Sequence, residues 1–303
     1  MSKYIKYILS FLMVVILIIC TNSTVFAADP EKDASIISKA TLTTDDWKYI
    51  DSLPLEQKQN LLTERLQNIK QEPTLREVAA INNMSEAEFV AFCKQQQKDA
   101  EDLMKNGAAR FAQDKQNMDE LFKRDPEAAK MKYSKMFSEN IQTSNNTGMR
   151  ALTGGPIGTY GDVLVTFGIN SMVGITGHAA IVSQMSSWTI EAWPGAFSPI
   201  GLEGVQWYPN NWGSYSQTWG LGVLNATVAN YTNAAIYAQN QVSKPFNWNI
   251  FNKFTTNSFY CSQLCWRSWE QQGKNIDGMP YDTVVYPWEI PYDNDIFIYY
   301  YQP

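Results

Sequence analysis

Near residue 150 the chain changes character. From about Asp45 to Ile141 it is rich in Lys, Glu, Gln, Ala and Leu, mixes charges of both signs and has almost no glycine. Apolar residues recur there at helical spacing, as in Leu61, Leu62, Leu66 and Ile69, so the stretch can bury one stripe of each helix and hydrate the other. Beyond the change only four Lys or Arg remain, yet nine of the ten tryptophans lie there. β-branched and aromatic residues at that density fit pleated, half-buried strands. The expected fold class is therefore α+β: an all-helical N-terminal region, then a sheet-containing domain long enough to bury its own core.

Within the helical region, which spans 28–142, Ser85 stands three residues before Glu88 ahead of an apolar run, the pattern of a capping box. Pro54, Pro73 and Pro126 mark helix boundaries. Three to five helices are expected. They serve as a module that packs on, covers or spaces the second half; a wall-binding role and an inhibitory segment removed by proteolysis are the alternatives. The run 143–158, TSNNTGMRALTGGPIG, is a linker by composition. In the remainder, 159–303, strands are expected at Asp162–Phe167, His178–Gln184, Thr189–Trp193 and Asp295–Tyr301, and helices around Val223–Asn240 and Phe259–Gln272.

The first residues set the expected compartment. Lys3 and Lys6 precede an apolar run from Ile8 to Cys20, and Val25 and Ala27 occupy the −3 and −1 positions of a cleavage site. Residues 1–27 read as a secretory signal peptide, giving a secreted or cell-wall-associated chain. An uncleaved anchor and lipidation at Cys20 are the competing outcomes. The net charge of −6 and a pI near 5.0 offer no basic stripe for nucleic acid.

After such cleavage three cysteines remain, Cys93, Cys261 and Cys265. That is too few for a disulfide scaffold. With one histidine in the whole chain, His178, no metal site and no cofactor is expected. A free thiol outside the cell is a hazard unless buried or used. Capped at Asn257 or Ser258, the helix around FYCSQLCWRSWEQQ places Cys261 in its first turn and Cys265 one turn deeper, before Gly273 ends it. Orphan N–H groups and the positive dipole end favour a thiolate at the first position. Cys261 is thus the candidate nucleophile and Cys265 a small core residue. His178 starts a strand and Glu191 lies on the next one, in an apolar run where a carboxylate needs a partner. Together they suit a general base and the group that orients it. The competing roles are structural: a strand-edge histidine and a salt-bridged glutamate.

Taken in order, GDVLVTF, GHAAIV, IEAWP and YCSQLCW resemble the circularly permuted papain-like cysteine hydrolases, relatives of the NlpC/P60 cell-wall peptidases of the YiiX and YaeF type. The closing YPWEIPYDNDIFIYYY is similar to that group's last strand, and the resemblance covers about residues 156–303. It implies a small barrel-like antiparallel sheet with the Cys helix packed against it. It also implies a Cys261–His178–Glu191 triad and amide hydrolysis through a thioester. The implied substrate is a peptide or other amide, such as a peptidoglycan stem peptide. Acyl transfer or lipid-ester hydrolysis on the same fold, and an inactive wall-binding module, are the alternatives. Asp162 is expected to be structural. Tyr160, Trp207 and Trp212 are candidate substrate-binding residues, the last two in a long insert between Glu191 and the Cys helix.

Overall fold

Helix caps in the first half fall where the short polar residues are. The computed structural model describes residues 29–38, parts of 46–64, 73–137, 155–170 and 176–303; the expected signal peptide and most of the expected linker lie outside the described residues. Helix α1 spans Pro30–Ser38. Thr74 caps α2 (Leu75–Ile81) and Ser85 caps α3 (Glu86–Arg124), each in a reciprocal box with the glutamate three residues on. At 39 residues α3 is about 58 Å long. It stops at Arg124 because Pro126 disfavours helical geometry at Asp125. Asp125 instead caps α4 (Pro126–Lys132), with the proline at a tolerated first-turn position.

The second half is a six-stranded, wholly antiparallel sheet. Its strands are β1 (Val163–Asn170), β2 (Thr176–Val182), β3 (Trp188–Trp193), β4 (Gly204–Pro209), β5 (Thr218–Val223) and β6 (Ile296–Gln302), in the spatial order β4-β3-β2-β1-β5-β6. The four expected strands are present, with ends shifted by a few residues. Strands β4 and β5 lie in the segment expected to be an insert. Gly220 and Gly222 weaken the strand signal of β5, but they are where Tyr299 and Phe297 of β6 press in: a Cβ added at Gly222 would meet the Phe297 ring at 2.4 Å. The expected helix around Val223–Asn240 is α5, Val228–Gln239; its cap is Thr227, and Val223 instead ends β5.

Strand alternation gives the sheet two apolar faces. Val163, Val165, Ala179, Ile181, Ile190, Ala192 and Leu221 point into the main core. Leu164, Ala180 and Val182 pack with Ile157 and Trp212 on the other side. Helix α6 (Cys261–Glu270) lies over β2 and β3 on the main-core face. The N-terminal helices are part of this core. Val78, Ala79, Phe89, Ala100 and Leu103 are buried in the same cluster. Hydrogen bonds that tie α3 and α4 to the sheet half include Trp288 to Gln96 at 2.8 Å, Ile298 N–H to Asp114 at 2.9 Å and Asn225 N–H to the Lys132 carbonyl at 2.8 Å. A buried ion pair, Lys135 with Asp162 at 3.1 Å, closes the junction. Asp162 also accepts the Thr159 N–H, in keeping with its expected structural role.

Candidate active site

Helix α6 begins two residues later than a cap at Ser258, and three later than one at Asn257, would place it. Tyr260 is the N-cap, and Cys261 is the first helical residue, so its N–H has no intrahelical acceptor. Gln263, fully buried, fixes this end. Its Oε1 accepts the Tyr260 N–H at 3.1 Å and the Asn247 amide at 3.0 Å, and its Nε2 donates to the Thr255 carbonyl at 2.9 Å. The Tyr260 hydroxyl accepts the Val285 N–H at 2.8 Å. The far end closes at Gly273, whose φ of +71° lets the Lys274 N–H reach the Trp269 carbonyl at 3.1 Å.

Strands β2 and β3 pair only at Ile181 with Ile190 and Val182 with Thr189, then part. Side chains bridge the parting. His178 Nε2 lies 2.8 Å from Glu191 Oε2, and both residues are buried. The Trp193 ring stacks on the imidazole, with centroids 3.7 Å apart. Three further donors converge on the Glu191 carboxylate: the Thr189 hydroxyl, the Trp193 indole at 2.7 Å and the Trp212 indole at 3.0 Å. On the main-core side the Cys261 sulfur reaches the Ala179 amide, just beyond the last β2–β3 pair. Helix and imidazole thus meet through the gap between the strands.

With Nε2 committed to Glu191, Nδ1 is the ring nitrogen left for the thiol. It makes no regular hydrogen bond, although the sulfur acts on the ring. The Cys–His contact is therefore the looser of the two, as catalytic contacts often are before substrate arrives. Burial works against a charged imidazole, but the Cys261 sulfur and the Glu191 carboxylate outweigh it and raise His178 to about 9. Burial also opposes the thiolate, yet the His178 ring and the amides of Ala179 and Ser262 pull Cys261 below the ordinary thiol range. Glu191 is held below the ordinary carboxylate range: burial is overcome by His178, Thr189 and Trp212. Cys265 is the opposite case; burial, then the charges of Cys261 and Glu191, push it well above a normal thiol. The two cysteines of one helix thus differ as position predicts, and the arrangement suits a thiolate–imidazolium pair.

Cys261 opens on a cleft lined by Ala192, Phe246, Ile250, Val284, Val285 and Pro287, among others. None of the three residues expected to bind substrate lines it. Trp212 is fully buried and holds Glu191. Trp207, opposite Ile190, packs against the main core. Tyr160 sits under the Lys135 ammonium, 4.3 Å from its ring centre. In these placements the insert's Trp212 indole supports the site from behind. The support from Thr189 and Trp193 was readable in principle, because Thr189, Glu191 and Trp193 alternate onto one strand face.

Among the described residues no helix is long and apolar enough to cross a membrane, and no group of three His, Cys, Asp or Glu side chains is placed to hold a metal ion. Comparison with protein-family models, with curated proteins and with solved structures finds no match for this chain.

Proposed function

We propose that this chain is a secreted cysteine hydrolase of the permuted papain-like kind, acting on an amide bond through a thioester. The observation that carries this is convergence. The one histidine of the sequence, a helix-first cysteine and a carboxylate with four donors meet at a single buried point. Their chain order, with the His and Glu strands before the Cys helix, suits the permuted arrangement.

In the proposed mechanism the Cys261 thiolate attacks the carbonyl carbon, and the electron pair of the C=O moves to oxygen. The N–H of Cys261 lies at the helix start and faces the developing oxyanion. Collapse expels the amine, which takes its proton from the His178 imidazolium. The now neutral ring accepts a proton from water as water attacks the thioester, and it returns that proton to the sulfur as the acid product leaves. Glu191 keeps its place at Nε2 throughout, which presents Nδ1 to the sulfur at every step.

The apolar lining of the cleft favours a second reading on the same residues. An aliphatic or aromatic acyl group fits walls of Phe246, Ile250 and Val284 better than a charged peptide does. The acyl donor would then be an ester, with transfer to water or to another acceptor. One panel separates the two. Purified protein is incubated with stem-peptide amides and with acyl esters of graded chain length, and the acyl-enzyme is sought as a mass increase on the Cys261 peptide. Turnover of amides supports the first reading, and a preference for long acyl esters supports the second. No adduct with any donor, together with His178-independent thiol reactivity, refutes both.

A further inference from the structure

One wall of the cleft is Val284–Pro287, part of the segment 276–292, whose regular structure is a single 3-10 turn at Ile290–Tyr292. A buried charge cluster that the proposed chemistry does not use pins it. Lys253 Nζ lies 2.5 Å from Asp277 and 3.2 Å from Asp282, while the Lys253 N–H holds the Thr283 carbonyl at 3.0 Å. The Lys253 and Asp277 side chains are each 1% exposed, and Glu289 is 1% exposed. Glu289 Oε1 accepts the Tyr286 N–H at 2.6 Å. Its Oε2 is buried without a donor, and the neighbour it can bond is the Asp277 carboxyl.

The ammonium thus pairs with two carboxyl groups, Asp277 and Asp282, while the third, Glu289, is buried beside Asp277 with its Oε2 lacking a donor. Two such carboxylates cannot both ionise in a dry site. A proton shared between Glu289 and Asp277 resolves the clash and satisfies Oε2. Burial and the Asp277 charge accordingly lift Glu289 to about 9. The other groups facing this pair are Asp282, Lys253, Tyr260 of the α6 cap, Tyr286 and Asp293 of the wall, with Asp99 of α3 beyond Tyr286. Burial pushes both tyrosines above their ordinary range, so they keep their protons while Glu289 loses its own.

We propose that the proton shared by Glu289 and Asp277 latches the wall 284–287 over Cys261, and that its loss at alkaline pH releases the wall and widens the cleft. This regulation rests on the proposed function of the same site, but its structural readout does not. Trp288 lies between the latch and the wall, and its indole is held by Gln96. The test is a fluorine NMR titration of protein carrying 5-fluorotryptophan, with the Trp288 signal assigned by Trp288→Phe. The experiment is run in Cys261→Ser, so it needs no active thiol. The Trp288 signal is expected to titrate with a midpoint near 9 and to stay fixed in Glu289→Gln. If Glu289→Gln does not fold, Asp277→Asn serves instead: it removes the repelling charge, so the midpoint must move down. In the protein with its thiol intact, the ratio of bulky-maleimide to iodoacetamide labelling at Cys261 is expected to rise severalfold over the same range; the ratio cancels ionisation of the thiol itself. A Trp288 signal that does not titrate, or that titrates unchanged in either variant, overturns the latch.

Discussion

Replacing Glu191 by Gln tests the electrostatic core of the site. The substitution keeps the shape and one acceptor oxygen but removes the charge beside His178 Nε2. Lifting an imidazole from 6.5 to about 9 corresponds to roughly 3 kcal/mol in favour of the charged ring. Cys261 and Glu191 supply that against burial. If the carboxylate provides even a third, about 1 kcal/mol, its loss moves the imidazolium limb down by roughly 0.7 pH units. The assay is the alkylation rate of Cys261 by iodoacetamide, followed by peptide mass spectrometry from pH 4 to 10 in wild type, Glu191→Gln and His178→Ala. Wild type should show a plateau that begins below the ordinary thiol range and ends near 9. Glu191→Gln should narrow it from the alkaline side, and His178→Ala should leave only the rise of an ordinary thiol. The same shift appears in stability. A histidine raised in the folded state stabilises fully below 6.5, and the contribution is lost as pH rises through about 9. The wild type should therefore lose thermal stability across that window more steeply than Glu191→Gln. Superimposable alkylation curves for wild type and Glu191→Gln would refute this account of the carboxylate.

Other outcomes follow from particular contacts. Cys265→Ser should keep the alkylation profile of Cys261 but lose about 1–3 kcal/mol in urea unfolding, since a hydroxyl then sits in a fully buried position. Lys135→Met should lose about 3–5 kcal/mol by leaving Asp162 buried and unpaired; the Lys135→Met, Asp162→Leu double variant should recover most of it. Gly222→Ala should lose about 1–3 kcal/mol, because its Cβ would fall 2.4 Å from the Phe297 ring. A chain starting at residue 155 should be insoluble or molten by near-UV circular dichroism, since it leaves the face that Phe89, Ala100 and Leu103 cover without a partner.

What the residues revealed in advance divides along physical lines. His178, Glu191 and Cys261 were identifiable because each is an exception in its surroundings: the sole histidine, a charge in an apolar strand, a thiol where a helix starts. The capping box at Ser85 and the four strands with regular alternation were legible for local reasons. The hidden parts depend on distant partners. Strand β5 contains Gly220 and Gly222, and the reason for both is β6, some 75 positions later. The α6 cap was misplaced because Tyr260 holds the position through Gln263 and Val285 rather than through its own short side chain. Trp212 resembled a platform for ligand; only the fold turns its indole toward Glu191. The buried glutamate at 289 lay in a stretch with no periodicity, so its opposition to Asp277 had no local signature.

The long helix α3 lies against β6, although nearly two hundred positions separate them in the chain: Asp114 receives the N–H of Ile298. Contacts so remote in sequence form late, after the intervening chain has been drawn together. Strand β6 also follows the Cys helix in sequence, and it braces β5, which in turn braces the strand beside His178. A chain emerging from its N-terminus would therefore expose Cys261 before the scaffold of its imidazole is complete. During that interval the sulfur is an ordinary, mostly protonated thiol. The contacts that pull its pKa down arrive with the last strand, so the topology itself keeps the thiol protonated until the molecule has finished folding.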